Sequence, residues 1–407
     1  MDAPKTTWSE RHSAWIVTLA AAAILMVTMG ARQSLGLFVS PLNSSTGLGI
    51  TTISLALAVG QFMWGAIQPV AGAVADRYGP GKVVVAGLVV LSIGTALTPF
   101  MTSGFGLIVT LGVLSAIGSG AGSFSVLIGA AARQLTDDKR GKAAGIINAG
   151  GSFGQFVFAP ISQALIQALG WMGAMWSLAV VTLGALPLAR VVSPSAPVHH
   201  QATGGSAPWD AVRHAMRDRS YLLLHAGFFT CGFHIAFLVT HLPGEVNLCG
   251  LPPSVASWSL ALIGLANIVG SLIAGTSTGH FRSKYILALM YGSRALLIGW
   301  YLTAPKTEWT FYFFAVGLGL TWLATVPPTA AIVGKLFGVR YLATLFGLTL
   351  LSHQVGGFLG AYLGGVAIEQ SGNYQWMWYA DMALAAAAAL VNLPIREASI
   401  TRAAVPA

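Results

Sequence analysis

The sequence predicts an all-α membrane protein with twelve transmembrane helices arranged as two similar six-helix halves. Charged residues make up only 8% of its 407 residues, whereas soluble domains carry about 25%. The mean hydropathy is +0.72, and the apolar runs approach the ~20 residues that a helix needs to cross a bilayer. A membrane β-barrel would show shorter segments of alternating apolar and polar residues, so the spans are predicted to be helices.

Twelve apolar runs, bounded by charged residues or by Pro, Gly and Asn clusters, give the individual spans. The first half contains 14–40, 50–75, 83–101, 105–131, 143–168 and 172–190. The second half contains 221–243, 255–278, 284–303, 309–334, 342–366 and 376–395. The predicted domains are an N-terminal bundle 1–190, a polar cytoplasmic linker 191–219 with a short helix near Trp209 to Arg217, and a C-terminal bundle 220–407.

Positive charge follows the layout of these spans. With the N-terminus in the cytoplasm, all but three of the 21 Lys and Arg residues fall in cytoplasmic segments. Lys306 falls outside, and Arg32 and Arg294 fall within spans. This distribution is the positive-inside pattern, so the net charge of +9 indicates topology and requires no nucleic acid. We predict a multi-pass protein of a bacterial inner membrane with both termini cytoplasmic.

The two halves repeat each other in sequence. Gly145 and Gly154 in the fifth span recur as Gly347 and Gly356 in the eleventh, an offset of 202 residues. Parallel repeats of this kind place a substrate site near the bilayer midplane in known transporters. The two cysteines, Cys231 and Cys249, are predicted to lie too far apart for a disulfide.

The loop between the second and third spans carries a recognisable motif. Gly72-Ala-Val-Ala-Asp76-Arg77-Tyr-Gly79, followed by Lys82, resembles the signature loop of the major facilitator superfamily. The resemblance implies the major facilitator fold and alternating access, with spans 1, 4, 7 and 10 lining the cavity. It also implies that Gly72, Asp76, Arg77 and Gly79 form a conformational latch.

A narrower resemblance concerns the first and fifth spans. Asp138 to Gly145, Asn148 to Gly154 and Gly30 to Pro41 are similar to the monocarboxylate and oxalate/formate branch. The branch moves small organic anions, often with a proton. Its eighth span usually carries an arginine for the carboxylate and in some members an aspartate for the proton, but Ser271 and Asn267 stand there in this sequence.

Arg32 is the most informative candidate residue. An arginine inside a span costs about 2.5–3.5 kcal/mol on insertion scales unless it faces a partner or a wet cavity. Its planar guanidinium suits a bidentate grip on a carboxylate. The alternatives are a structural salt bridge and an arginine that reaches toward the outer interface.

Histidine supplies the candidates for proton coupling. His234 lies near the middle of the seventh span, and its imidazole titrates near neutral pH. The alternative is a neutral histidine satisfied by packing or by a backbone carbonyl. His353 is a similar candidate in the eleventh span. The complete set predicted to bind substrate is Arg32, Gln33, Asn148, His234, Asn267 and His353.

Two further charges lie inside spans of the second half. Arg294 in the ninth span and Asp381 in the twelfth have similar predicted depths. Because the resemblance places both helices on the outside of their bundle, we predict that the two residues form a structural ion pair.

These observations favour secondary transport of a small organic anion, foremost a monocarboxylate, driven by a proton gradient or by exchange. The alternatives are uptake of a larger aromatic or vitamin-like solute and efflux of amphiphilic compounds. The sequence shows no catalytic dyad, triad or metal cluster, so neither an enzyme nor a cofactor is expected. The expected partners are a small solute, a proton in the coupled case and the lipid bilayer, and the chain is expected to be a monomer.

Overall fold

A computed structural model describes residues 8–132, 137–192, 208–278, 280–338 and 342–397. Every regular element in these ranges is a helix. Nine segments are long and apolar enough to cross a membrane. One of them, 145–191, turns at Gly170, where two predicted spans meet, and helices Leu342–Ser371 and Gln375–Asn392 lie at the eleventh and twelfth predicted spans. Helices in the described residues thus coincide with all twelve predicted spans.

The first six spans are built from nine helices, because several of the spans are interrupted. They are α1 (Trp8–Gln33), α2 (Val39–Thr46), α3 (Ile50–Tyr78), α4 (Pro80–Leu97), α5 (Gly104–Leu107), α6 (Ala116–Ala121), α7 (Phe124–Ala132), α8 (Asp137–Gly184) and α9 (Leu186–Val191). A short 3-10 helix, Leu35–Phe38, joins α1 to α2, and a π-helix, Ile108–Ser115, joins α5 to α6. α8 turns sharply at Gly170, whose φ of 71° is costly for residues with a Cβ.

The remaining spans are more continuous. They follow α10 (Pro208–Ala215) and comprise α11 (Arg219–Leu248), α12 (Pro253–Ser277), α13 (Ser283–Thr303), α14 (Glu308–Thr321), α15 (Val326–Phe337), α16 (Leu342–Ser371) and α17 (Gln375–Asn392). α10 confirms the short helix predicted between the halves; residues 193–207 of the linker lie outside the described residues. The tenth span is divided into α14 and α15 by the segment Trp322 to Thr325.

Contacts group the chain into two compact units. The first contains Met1–Leu35 and Met63–His200, and the second contains Gly36–Phe62 and Gln201–Ala407. The segment Gly36–Phe62, which includes α2 and the start of α3, therefore packs with the second unit. The division into functional bundles at 190 and 220 stays a prediction.

Close helix packing forms the core of each unit. In the first unit, a Cβ placed on Gly154 of α8 would fall on the carbonyl oxygen of Met26 in α1. In the second, a Cβ on Gly356 of α16 would fall on the carbonyl oxygen of Phe229 in α11. Small residues permit such backbone contact between membrane helices, so these two helix pairs fix the first and seventh spans within their units.

Candidate functional site

In the first unit, Arg32 lies against an aromatic ring. Its Cζ atom is 4.3 Å from the centroid of the Trp64 ring, and Trp64 meets the Phe124 ring edge-on at 6.4 Å. This cation–π contact brings residues from the first, second and fourth spans together. The contact positions a permanent positive charge beside a buried indole ring.

Two side chains near this arginine, one in space and one in sequence, have a buried polar atom without a partner among the described residues. Trp64 is 7% exposed, and its Nε1 donor has no hydrogen-bond partner within the described ranges. The side-chain oxygen of Gln33, next to Arg32 in sequence, is a buried acceptor without a described partner. Asn148 of α8 is half-buried. Buried donors without partners are rare in native structures and suggest a ligand or water.

In the second unit, the break in the tenth span is stabilised by side chains from the helices α12 and α13. The α14 helix ends at Thr321, and its last carbonyl groups have no partners within the helix. Arg294 of α13 donates to the carbonyl oxygens of Thr321 and of Trp322, the latter at 2.7 Å. Asn267 of α12 accepts from the backbone N–H of Leu323 at 2.9 Å. The break is therefore a stabilised element of the fold.

Arg294 thus has a role other than the predicted one. Besides the two carbonyls, it donates to Thr321 Oγ1 at 3.1 Å and to the Cys231 sulfur at 3.5 Å. Asp381 instead pairs with His234, with 2.6 Å between Oδ2 and Nδ1. The predicted Arg294–Asp381 ion pair is wrong, because similar depth does not establish that two helices turn the same faces toward each other.

The His234–Asp381 pair is enclosed by protein. His234 of α11 is 1% exposed and Asp381 of α17 is 0% exposed. The Trp322 ring lies 6.0 Å from the imidazole, centroid to centroid. His234 Nε2 and Asp381 Oδ1 have no partners in the described part of the chain. The candidate for proton coupling therefore sits beside both a carboxylate and the tenth-span break.

Cys231 and His353 lie at the same break. The Cys231 thiol is 3.3 Å from Thr325 Oγ1 and contacts His353. Both Cys231, which is buried, and Cys249, which is half-buried, are free thiols in the structure. His353 packs on the Phe228 ring at 5.0 Å. In the second unit the structure thus brings His234, Asn267 and His353 around one interrupted helix, while Arg32, Gln33 and Asn148 belong to the first unit.

The latch motif is described in part. Gly79 has a φ of 95° between α3 and α4, a conformation that favours glycine. A Cβ on Gly72 would meet no atom within 4 Å among the described residues. The side chains of Asp76 and Arg77 lie outside the described part of the structure, and the latch stays a prediction.

The tenth-span break was missed in the sequence although a signal was present. Pro327 and Pro328 follow the break directly. Proline lacks the N–H that a helix interior needs but fits the first turn of a new helix. A pair of prolines inside an apolar run therefore predicts a helix start, here Val326, and a break before it.

Comparisons with known proteins agree with this architecture. A family model described as Major Facilitator Superfamily matches residues 21–293 and 248–404. Monocarboxylate transporter 13 of Rattus norvegicus is 26% identical and covers 93% of this chain and 89% of its own length. The "Probable sulfoacetate transporter SauU" of Cupriavidus necator is 25% identical, covering 85% of this chain and 86% of its own length.

A solved structure extends the agreement to three dimensions. The bacterial homologue of the human lysosomal transporter Spinster, in an inward-facing and unoccupied conformation, matches with a TM-score of 0.71 and 16% identity over 93% of each chain. At this identity the match shows the fold alone. Helices, family match and relatives agree that the protein is a membrane transporter and not an enzyme. The chain belongs to the Major Facilitator Superfamily.

Proposed function

We propose that this protein is a secondary active transporter of a small organic anion, with a monocarboxylate as the leading substrate class. Arg32 carries the proposal. It is a permanent positive charge within the first span, where a charge is costly unless it serves a ligand or partner. Its contact with Trp64 positions the guanidinium beside a buried indole, and the planar geometry of a guanidinium suits bidentate recognition of a carboxylate.

The indole donor of Trp64 beside Arg32 favours an anion over a cation. Trp64 Nε1 is a buried donor without a described partner, and an indole N–H can only donate. A carboxylate offers several acceptor lone pairs, so it can accept from a guanidinium and an indole at the same time. A cationic substrate would add positive charge to a site that already holds a guanidinium.

The relatives point to the same class of substrate. One is named for monocarboxylates and another for sulfoacetate, and both names denote small organic anions. The energy source in this proposal is a proton gradient or exchange against a second anion, with alternating access as the mechanism. The protein would act as a monomer in a bacterial inner membrane with both termini in the cytoplasm.

Binding to purified protein is the first test. Ligands that bind the native state raise its melting temperature. Short monocarboxylates, aromatic acids, vitamins and cationic amphiphiles are compared at acid and neutral pH. The proposal expects stabilisation by monocarboxylates. Stabilisation by vitamins or amphiphilic cations alone would overturn it in favour of uptake of a vitamin-like solute or efflux of amphiphiles.

Uptake into proteoliposomes then tests Arg32 itself. We expect Arg32→Ala to abolish uptake of the stabilising carboxylate, and Arg32→Lys to raise KM because an ammonium lacks the bidentate fork. Trp64→Phe keeps a ring beneath the guanidinium and removes the indole donor, so it should raise KM as well. Arg190→Ala is the matched control, since Arg190 is exposed at the end of α9. Unchanged uptake by Arg32→Ala would remove Arg32 from the site.

A further inference from the structure

The contact between His234 and Asp381 has properties of a proton-binding site. The 2.6 Å distance between Nδ1 and Oδ2 requires one proton between these two atoms. The other imidazole nitrogen, Nε2, has no partner among the described residues, and neither has Asp381 Oδ1. A second proton can therefore bind the Nε2 lone pair without breaking any hydrogen bond that the structure shows.

The charge balance of this pair follows from its atoms. With one shared proton, the pair consists of a neutral imidazole and a carboxylate, and its charge is −1. A proton that binds Nε2 produces an imidazolium beside the carboxylate, and the charge becomes 0. The proton leaves by the reverse step, so no other bond is formed or broken. Uptake and release of one proton thus change the charge of a buried site by one unit.

A purely structural pair is a weaker explanation of this geometry. Buried ion pairs seldom stabilise a fold more than apolar residues of similar volume, because desolvation offsets their attraction. What sets this histidine apart is the carboxylate on its Nδ1 combined with an unpartnered Nε2 at 0–1% exposure, since His225 and His241 contact a hydroxyl and a backbone carbonyl instead. A site that must alternate between two protonation states has to keep one nitrogen lone pair available.

Other charged and titratable groups come close to the pair from the helices around it. Arg294 is connected to the site through Trp322, since it donates to the Trp322 carbonyl while the Trp322 ring faces His234. The helices α2 and α12 contribute no titratable side chain within their spans. The other packed helices carry these titratable and charged groups: Arg219, Tyr221, His225, Cys231, His241 and Glu245 of α11; Lys284, Tyr285, Tyr291, Arg294 and Tyr301 of α13; Glu308 and Tyr312 of α14; Lys335 of α15; His353, Tyr362 and Glu369 of α16; and Tyr379 of α17.

We propose that His234 and Asp381 together form the coupling-proton site of the transporter, with His234 Nε2 as the atom that takes up the proton. Trp322 places this site at the tenth-span break, so the charge of the pair acts on the interrupted helix. The consequence for uptake rests on the proposed transport function. The existence of the proton site does not, because it can be measured without substrate.

Tryptophan fluorescence provides the substrate-free test, because a nearby imidazolium quenches indole emission. Purified full-length protein in lipid nanodiscs is titrated between pH 5 and 9. We expect a reversible loss of emission on acidification that disappears in His234→Gln and in Trp322→Phe. His225→Gln is the matched control: His225 lies on the same helix, but its Nδ1 contacts Ser352 Oγ instead of a carboxylate. This control should keep the transition.

Asp381→Asn gives a second variant of nearly equal volume. It removes the carboxylate that balances the imidazolium, and we expect the transition to vanish from the pH range tested. Persistence of the transition in both His234→Gln and Asp381→Asn would overturn the proposal. If His234→Gln does not give a monodisperse protein, persistence of the transition in Asp381→Asn alone overturns the proposal.

Transport assays separate failure of the proton site from failure of the proposed function. With a monocarboxylate substrate, both variants should lose accumulation driven by a pH gradient and retain counterflow exchange, which needs no net proton movement. A pH transition that depends on His234 in a protein that moves no monocarboxylate would uphold the proton site and refute the substrate class. Gradient-driven accumulation by Asp381→Asn at the wild-type level would uphold transport and refute the proton site.

Discussion

Gly154 and Gly356 make the same contact in their two units. A Cβ on Gly154 would fall on the carbonyl oxygen of Met26, and a Cβ on Gly356 would fall on that of Phe229. The 202-residue offset between the glycines also relates Gly30 to Gly232, which lie on the partner helices α1 and α11. The sequence repeat is therefore a repeat of backbone contacts.

This contact predicts opposite effects for two glycines of the same helix. Gly356→Ala should lower the melting temperature substantially, because the new methyl group would overlap backbone atoms of α11, which cannot move aside as a side chain can. Gly347→Ala should be neutral or stabilising by up to about 1 kcal/mol, since alanine favours a helix over glycine. No atom lies within 4 Å of the Gly347 Cβ position among the described residues.

Thermal unfolding followed by size-exclusion chromatography of detergent-solubilised protein measures both variants. The pair is matched because the residue change and the helix are the same. Equal melting temperatures for Gly356→Ala and Gly347→Ala would contradict the contact. The corresponding pair Gly154→Ala and Gly145→Ala repeats the test in the first unit, where Gly145 is the position with open space.

The same offset relates Arg32 to His234. The proposed anion-binding residue and the proposed proton-binding residue therefore occupy one repeat position in the first and seventh spans. The interruptions of the fourth and tenth spans are related by the same 202-residue offset, since Gly122 lies at the first break and Ala324 within the second. Thr28 donates to the Gly122 carbonyl at 3.1 Å, so in both units a side chain satisfies a carbonyl at the interrupted helix.

Arg294 is expected to stabilise the fold through the tenth-span break. Arg294→Met removes the donors to two backbone carbonyls, and each buried carbonyl left unpaired costs about 1–3 kcal/mol. Arg294→Lys should recover only part of the loss, because one ammonium group cannot reproduce the spacing of the guanidinium donors. Expression and melting temperature measure the effect, and Arg282→Met at the exposed start of α13 is the control.

A double charge reversal tests whether Arg294 and Asp381 interact with each other, as the sequence had predicted. If Arg294 acts on carbonyl groups and Asp381 on His234, Arg294→Asp combined with Asp381→Arg should be no more stable than either single variant. Recovery of expression in the double variant would instead support a direct Arg294–Asp381 ion pair.

Composition and charge distribution predicted the fold well because each span is specified locally. Twenty apolar residues have few alternatives to a membrane helix, and the ends of the helices follow from charges and glycines. The site was predicted less well because partners depend on helix rotation. Asp381 lies at the depth of Arg294, but successive helix residues point about 100° apart, so only the structure showed that Asp381 faces His234. Asn267 was predicted to bind substrate, whereas in the structure its side-chain oxygen accepts from the backbone N–H of Leu323.

Substitutions of Asn267 test the second contact at the tenth-span break, the hydrogen bond to the Leu323 N–H. Asn267→Leu should destabilise the protein by about 1–3 kcal/mol, because the Leu323 N–H loses its acceptor inside the protein. Asn267→Asp retains an oxygen at that position and should recover hydrogen bonding at the cost of a buried charge. Ser271→Ala is the control, since the Ser271 hydroxyl donates to the same Asn267 oxygen at 3.3 Å and lies nearer the surface. A loss for Ser271→Ala equal to that for Asn267→Leu would show that the Leu323 contact is not decisive.

Cys249 lies in a cluster of charged groups at the loop between α11 and α12. Tyr301 donates to Glu245 Oε1 at 2.7 Å, and the ammonium of Lys306 lies 3.7 Å from the centroid of the Tyr301 ring. Burial raises the pKa of the Cys249 thiol, the negative charge of Glu245 raises this pKa further, and Lys306 lowers it. Since the thiolate is the reactive species, the two neighbouring charges should control alkylation in opposite directions.

The rate of maleimide labelling at pH 7.5 measures how these two charges affect the reactivity of Cys249. Glu245→Gln removes a negative charge, lowers the pKa of Cys249 and should raise the initial labelling rate several-fold. Lys306→Gln removes a positive charge, raises the same pKa and should slow labelling. Both differences should shrink as the pH rises above the thiol pKa, because the thiolate then predominates in every variant. Cys249→Ser reports the background from Cys231, which is 0% exposed. Equal rates in Glu245→Gln and Lys306→Gln would mean that access, and not charge, governs this thiol.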